Sequence, residues 1–306
     1  MAAGTKMHAD EADTDESLVG ALIRAQFPQW AHLPVSRVAS AGTDNAMYRL
    51  GSGMAVRLPR IPGAAADVAK ENRWLPHLAP HLPLAVPEPL GQGVAGEGFP
   101  HPWSVYRWLD GENLFDEPVT DLREAAVGLG RFVAALRGVD AAGAPVSFRG
   151  GPVATRDEGV RAAIRDLGAD GTHDADTATA LWEETLGLPQ WEGAPVWLHG
   201  DLLPGNLLAR DGRLRAVIDF GGVGAGDPAC DTMAAWTLLT AETREPFREA
   251  CGADDATWAR GRGWALAFGL TAEHYYRETN PVLAAVAHRT TAEALADFRG
   301  TARARP

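Results

Sequence analysis

Between Val196 and Asp231 the chain places His199, Gly200 and Asp201 in succession, then Asn206, then Asp219, Phe220 and Gly221. Asp201 follows an apolar, strand-like run, Val196-Trp197-Leu198, so it falls in a loop from which a carboxylate can be aimed at a substrate hydroxyl. Asn206 and Asp219 stand at the edges of a predicted hairpin and offer hard oxygen ligands. Mg²⁺ takes such ligands and usually keeps water and phosphate oxygens in its shell. Phosphoryl transfer asks little covalent chemistry of a protein. It needs an oriented hydroxyl, metal ions bridging the phosphates and a closed pocket. Ordinary loop carboxylates with an Asx turn are the bland alternative.

The order and spacing of these residues resemble the catalytic core of the protein-kinase-like superfamily, where His-Arg-Asp precedes an Asn and then Asp-Phe-Gly. With Gly200 in the middle position, His-Gly-Asp-Leu-x-x-x-Asn is similar to the aminoglycoside phosphotransferase family, which includes choline-kinase-like and macrolide kinases. Gly226-Asp227-Pro228 and Asp231 extend the similarity. A lone His-Gly-Asp arises by chance; the whole ordered set does not. The resemblance runs from Val35 to Phe298 and is strongest over residues 196–236.

The resemblance implies roles. Asp201 orients the attacking hydroxyl and takes its proton. Asn206 and Asp219 hold Mg²⁺, and His199 braces the catalytic loop. Asp227 and Asp231 either support that loop or face the substrate. Kinase-like folds also carry a basic residue on the third strand for the α/β-phosphates, paired with a Glu on the next helix. Only Lys6 and Lys70 are lysines, and the strand Met54–Leu58 offers Arg57 instead, with Glu71 on the helix that follows. An arginine fork can bind phosphate and pair with a carboxylate; an arginine on an exposed strand face is the alternative. The phosphate-covering loop is Ser40–Ala46, with Gly42, Thr43, Asp44 and Asn45, unless this is a plain hairpin turn.

Trp103–Gly111 matches the interlobe hinge, whose backbone bonds the purine, with Arg107 and Leu109 as candidates. Tyr106 and Trp108 stack on the base or pack the hinge, packing being favoured. For the acceptor the family draws on acidic and aromatic residues of late helices, which points to Glu273, His274 and Glu278. Helical spacing pairs Glu273 with Arg277 and His274 with Glu278, as a solvated helix end also does.

The implied activity is transfer of the γ-phosphoryl group of ATP or GTP to a hydroxyl of a small molecule, with Mg²⁺. An aminoglycoside or another antibiotic, inactivated by phosphorylation, is the first expectation. Macrolide kinases and metabolic kinases of amino alcohols or sugars share the chemistry. The missing strand lysine motivates a non-enzyme alternative, a nucleotide-binding pseudokinase.

The elements that must position these residues follow from periodicity and breakers. A helix is expected over Glu16–Phe27, strands at Val35–Ser40, Asn45–Leu50 and Met54–Leu58, a helix over Ala64–Leu78, and strands at Val86–Gly91 and Trp103–Leu109. Gly51-Ser52-Gly53 is a hairpin turn. Beyond Gly111 helical patterns dominate: 119–139, 154–167, 174–186, 228–240, 244–251, 257–277 and 281–298. Short strands at 196–198, 206–209 and 214–218 interrupt them, with Asp211-Gly212 as a turn. The fold class is therefore α+β and two-lobed. The parts are a disordered tail over 1–14, a small antiparallel-sheet N-lobe over 15–108 for nucleotide, and a mainly helical C-lobe over 109–306 for catalysis and acceptor. A Gly-x-Gly-x-x-Gly at Gly91–Gly96 leads into Glu97–Pro102, which cannot start a helix, so it reads as a turn between strands.

Composition narrows the partners. Of 306 residues, 28 are Lys or Arg and 40 are Asp or Glu, a formal charge of -12. That balance counts against nucleic acid and suits a cationic acceptor. Two cysteines, Cys230 and Cys251, make neither a disulfide framework nor a zinc quartet. No apolar run reaches the roughly 18 residues of a membrane helix, and Met1–Ser17 is polar and acidic without a signal-peptide pattern. A cytoplasmic protein is expected.

Overall fold

Asp15 starts the first helix, α1 (Glu16–Gln26), by accepting from the Leu18 N–H at 2.7 Å. α1 belongs to the first of two compact units in the computed structural model, which describes residues 11–38 and 44–304. This unit takes in the described residues up to Pro80, then Ala85–Gly111 and Ala216–Gly221. Part of the predicted tail is held there: the Ala12 N–H donates to the Arg60 carbonyl at 2.9 Å and Tyr48 Oη to Thr14 Oγ1 at 3.0 Å. Residues 1–10 lie outside the described residues, as do Ser40, Ala41, Gly42 and Thr43 of the expected phosphate loop.

The sheet of this unit is antiparallel throughout, in the order β1 (Val35–Arg37), β2 (Asn45–Leu50), β3 (Met54–Pro59), β5 (Trp103–Arg107), β4 (Pro89–Gly93). β2 alternates: Ala46, Tyr48 and Leu50 are buried while Asn45, Met47 and Arg49 point to the other face. The β2–β3 turn is Gly51–Gly53, and Gly51 takes φ +60°, open to glycine at no steric cost. Tyr48, Leu50, Val56, Leu58, Trp103 and Val105 close on Val19, Leu22 and Ile23 of α1 as one core. Each such side chain, fully buried, contributes roughly 1.5–3 kcal/mol.

α2 (Pro62–Leu78) begins with proline at its first position and buries Ala64, Val68, Glu71, Leu75 and Leu78, a stripe at three to four. β4 starts later than the expected Val86–Gly91 and runs on to Gly93. The Gly91–Gly96 run is indeed a strand end and turn. Gly93 lies flat on Trp103, where a Cβ would fall 2.1 Å from the indole. Residues 216–221 join this unit through the Val217 N–H, which donates to the Ala85 carbonyl at 2.9 Å.

The second unit comprises His81–Leu84, Glu112–Arg215 and the described residues from Gly222 onward. Its elements are β6 (Glu112–Asn113), α3 (Leu122–Arg137), α4 (Asp157–Ala169), α5 (Ala175–Gly187), β7 (Val196–Leu198), β8 (Leu207–Arg210), β9 (Arg213–Val217, whose last two residues pass into the first unit), β10 (Gly224–Gly226), α6 (Ala229–Thr232), α7 (Ala234–Thr237), α8 (Ala241–Cys251), α9 (Asp255–Tyr276) and α10 (Pro281–Ala304). Asp121, Asp174 and Asp254 cap α3, α5 and α9 through their carboxylates. α9 packs on α10, α4, α5 and α6, and α3 on α8, around buried Trp182, Trp236, Trp264, Phe132 and Phe247. β7 pairs antiparallel with β10, and β8 and β9 form a hairpin turned by Asp211 and Gly212, both at positive φ. The single helix expected over 228–240 is interrupted at Met233, whose N–H bonds the Cys230 carbonyl at 3.1 Å and tightens the turn. Among the described residues no helix is long and apolar enough to cross a membrane.

Candidate active site

In the second unit, the chain leaving β7 turns at Gly200, at φ +83°. A Cβ there would stand 2.9 Å from both the Gly222 carbonyl and Ser147 Oγ, so only glycine fits. The N–H groups of His199 and Gly200 donate to Asp231 Oδ2 and Oδ1, each at 2.8 Å. Burial pushes the Asp231 carboxyl up, against the pull of His199 and of these two N–H groups. His199, fully buried, accepts the Asp201 N–H on Nδ1 at 3.2 Å. The loop is thus fixed from beneath before any ligand arrives.

The Asp201 carboxylate is gripped on both oxygens. Asn206 Nδ2 donates to Oδ2 at 2.9 Å and to the Asp201 carbonyl at 2.9 Å. Arg149 Nη1 donates to Oδ1 at 2.6 Å and to the Gly200 carbonyl at 2.5 Å. Burial alone would lower the Arg149 pKa; Asp201 and its acidic neighbours outweigh burial and keep the guanidinium charged. The Asp201 side chain is still 29% exposed. Each carboxylate oxygen carries a second lone-pair site, so the grip leaves capacity for a hydroxyl. Asn206 commits its amide hydrogens to Asp201, which leaves its amide oxygen as a ligand atom.

In the first unit, Arg57 of β3 meets Glu71 of α2. Nη1 donates to both Glu71 oxygens, at 2.5 and 2.6 Å, and Nη2 to Asp219 Oδ1 at 2.5 Å. Asn45, its amide oxygen toward the guanidinium, accepts from Nε at 3.2 Å and Nη2 at 2.8 Å. Burial would lower the Arg57 pKa, but Glu71 and Asp219 hold it well above the ordinary value. Glu71 is almost fully buried and also accepts from Tyr106 Oη. Burial, reinforced by Glu71, pushes the Tyr106 phenol up, so it stays a proton donor. Asp219 adopts φ +63°, a left-handed conformation costly for a non-glycine residue and often found at functional sites. Its side chain is 44% exposed.

A profile described as the phosphotransferase enzyme family matches residues 36–264. The chain belongs to the phosphotransferase enzyme family. The GDP complex of wild-type aminoglycoside 2'-phosphotransferase-IIIa is similar to this phosphotransferase with TM-score 0.70 and 19% identity, covering 93% of this chain and 99% of that one. The macrolide 2'-phosphotransferase MphH of Brachybacterium faecium aligns with TM-score 0.58 and 26% identity over 86% and 97%. A GDP and kanamycin complex of APH(2")-IIIa aligns with TM-score 0.68 and 18% identity over 92% and 98%. The α+β kinase-like fold expected from the motif is thereby established. No curated protein sequence matches the chain significantly.

Other expected site residues of the phosphotransferase stand differently. Asp231 is 1% exposed with both oxygens bonded to the loop, so it supports the loop and cannot face a substrate. Asp227 is likewise buried, in a two-point pair with Arg260 Nε at 2.8 Å and Nη2 at 3.0 Å, and takes the Ala229 N–H. Glu273 is buried between His173 Nε2 at 2.6 Å and His288 Nδ1 at 2.9 Å, not paired with Arg277. His274 meets Asp166 at 2.8 Å instead of Glu278, and Arg277 meets Asp170 at 3.1 Å. In each case a partner distant in the chain outcompetes the i,i+4 neighbour, worth only about 0.2–0.5 kcal/mol. Glu278 is exposed in the turn after α9.

Arg107 turns its side chain to Glu88, at 2.6 and 3.1 Å, and its N–H to the Glu88 carbonyl, so both donors are engaged inside the sheet edge. Leu109 follows β5, half-buried and outside the ladder. Tyr106 packs, as favoured, and Trp108 lies under the Arg49 guanidinium at 3.9 Å. Burial raises both cysteine thiols, consistent with inert apolar fillers. Arg149, which holds the Asp201 carboxylate, is not among the residues that the sequence singles out. It sits in a Gly- and Pro-rich loop far from Asp201 in the chain, and its only local signal is an arginine among residues otherwise suited to a turn.

Proposed function

We propose that this phosphotransferase moves the γ-phosphoryl group of ATP or GTP to a hydroxyl of a small-molecule antibiotic, with an aminoglycoside as the first candidate. The observation that carries the reading is the Asp201 carboxylate, oriented by Asn206 and Arg149 on a loop braced by Asp231, yet still open to solvent. A pseudokinase has no use for such a group. Asp201 accepts a hydrogen bond from the acceptor hydroxyl, aligns its oxygen for attack and takes the proton as the new bond to the γ-phosphorus forms and the bond from that phosphorus to the bridging oxygen breaks, releasing the nucleoside diphosphate.

Asn206 offers an amide oxygen and Asp219 an exposed carboxylate, and each by itself is a hard ligand of the type Mg²⁺ prefers. When bound, the ion neutralises charge on the phosphates. Arg57, Glu71 and Asn45 organise the nucleotide side by fixing Asp219 Oδ1. Leu109 and the Arg107 backbone carbonyl are the candidates for the base.

A net charge of -12 favours a cationic acceptor, which aminoglycosides are. The higher identity of the macrolide kinase, 26% against 19%, supports macrolides as a second reading. The test is a coupled nucleoside-diphosphate release assay with ATP and GTP against aminoglycosides, macrolides, choline and amino sugars. Acceptor-dependent release with an aminoglycoside supports the first reading. Release with macrolides alone moves it to the second, and release with choline or sugars alone makes the chain a metabolic kinase.

A further inference from the structure

Two histidines of the second unit, far apart in the chain, meet at one carboxylate. His173 lies in the short connection between α4 and α5, Glu273 in the last turn of α9 and His288 on α10. The connection is fixed at both ends: the Thr172 and His173 N–H groups donate to the Leu167 carbonyl at 3.0 and 3.4 Å, and Asp174 caps α5. α10 packs along α9, which sets His288 beside Glu273.

Glu273 Oε2 is 2.6 Å from His173 Nε2, and Oε1 is 2.9 Å from His288 Nδ1. The Glu273 side chain is only 9% exposed, and among the described residues no lysine or arginine pairs with it. A buried carboxylate needs a compensating charge. Neutral imidazoles give it hydrogen bonds and no charge.

A divalent cation held by all three groups supplies that charge. The three ligand atoms lie within 4.8 Å of one another. On a tetrahedral Zn²⁺ with bonds of about 2.0–2.2 Å, ligand atoms stand about 3.3 Å apart and two imidazole ring centres about 5 Å apart. The ring centres of His173 and His288 are 4.8 Å apart. Each N···O separation has to open by less than about 1 Å to reach the tetrahedral spacing. The His288 side chain is 53% exposed, which gives an ion a way in and water a place as fourth ligand. Two imidazoles and one carboxylate suit Zn²⁺, whereas Mg²⁺ takes oxygen ligands.

We infer that His173, Glu273 and His288 form a Zn²⁺ site, made of none of the residues proposed to hold Mg²⁺. Bound there, the ion ties the α4–α5 connection to α9 and α10. His173 binds through Nε2 and His288 through Nδ1. Each neutral ring then carries its N–H on the other nitrogen, and an imidazolium first gives its proton to water.

The test is calorimetric titration of Zn²⁺ into tag-free, full-length protein stripped with a chelator, together with thermal unfolding with and without Zn²⁺. Wild type is compared with Glu273→Gln, His288→Ala and, as a control on a histidine of the first unit, His101→Ala; circular dichroism verifies that each is folded. Wild type is expected to bind one Zn²⁺ per chain saturably, to gain in Tm with it and to keep it in excess Mg²⁺. Glu273→Gln and His288→Ala are expected to weaken binding by more than about 10-fold, the least that loss of a group behind a metal ligand costs, and to lose the gain in Tm. His101→Ala keeps both. No saturable binding in wild type, a smaller loss in His288→Ala, an equal loss in His101→Ala, or displacement by Mg²⁺ overturns the inference and leaves a hydrogen-bonded triad. If either triad variant fails to fold, the other decides.

Discussion

Arg149 Nη1 lies 2.6 Å from Asp201 Oδ1 and 2.5 Å from the Gly200 carbonyl, so one guanidinium fixes both the proposed base and the peptide before it. Arg149→Ala leaves the Asp201 carboxylate held by Asn206 alone and releases its Oδ1. Misplacement of a reacting group by about 1 Å costs on the order of 10²-fold. Arg149→Ala is expected to lower kcat by about that much with little change in nucleotide KM, and Arg149→Lys to recover only part, having no planar fork. Steady-state kinetics check this; a change confined to KM would move Arg149 out of the positioning role.

Asp201→Ala removes the group that takes the hydroxyl proton. Turnover is expected to fall by about 10²–10⁴, with nucleotide affinity unchanged by calorimetry. A fall of less than threefold would deny Asp201 its role.

Asp219→Ala removes an exposed oxygen ligand and the partner of Arg57 Nη2. Calorimetry with and without Mg²⁺ is expected to show that the metal no longer strengthens nucleotide binding. An undiminished Mg²⁺ effect would place the metal elsewhere.

Asp231→Ala leaves the N–H groups of His199 and Gly200 buried without acceptors. An unsatisfied buried donor costs about 1–3 kcal/mol, so denaturant unfolding should show a loss of roughly 2 kcal/mol or more, with activity falling as the loop loosens. Full stability would mean that the two N–H groups find other partners.

Asp174 caps α5 through the Thr177 N–H and meets Arg299 at 2.6 Å, and these bonds depress its pKa to about 2. A carboxyl depressed on folding stabilises above its unfolded pKa, near 3.9. That stability is lost as pH falls through about 4 to 2. The Tm difference between wild type and Asp174→Ala should therefore shrink across this window. A difference independent of pH would show that charge plays no part.

The loop proposed to be catalytic stands out in the sequence because its residues are contiguous: His199, Asp201, Asn206 and Asp219 lie within one strand–loop–hairpin stretch whose spacing is itself the signal. The Arg57–Glu71 pair was legible from a basic residue on a predicted strand and an acid on the next helix, and their contact at 2.5 Å confirms the pairing. Arg149 was not legible, because nothing near residue 149 encodes a partner at residue 201. The same blindness to tertiary partners misassigned the pairings of Glu273 and His274, whose contacts come from His173, His288 and Asp166 instead of Arg277 and Glu278. Burial of Asp227 and Asp231 was equally hidden: an acid beside a turn reads as exposed until Arg260 and two backbone N–H groups are brought against it.

The most direct test is a mass spectrum of each acceptor in the antibiotic and amino-sugar panel after incubation with ATP or GTP and Mg²⁺, using wild type and Asp201→Ala side by side. The account predicts that at least one antibiotic gains a single phosphoryl group with wild type and none gains it with the variant. No phosphorylated acceptor with wild type, or equal transfer by Asp201→Ala, would contradict it.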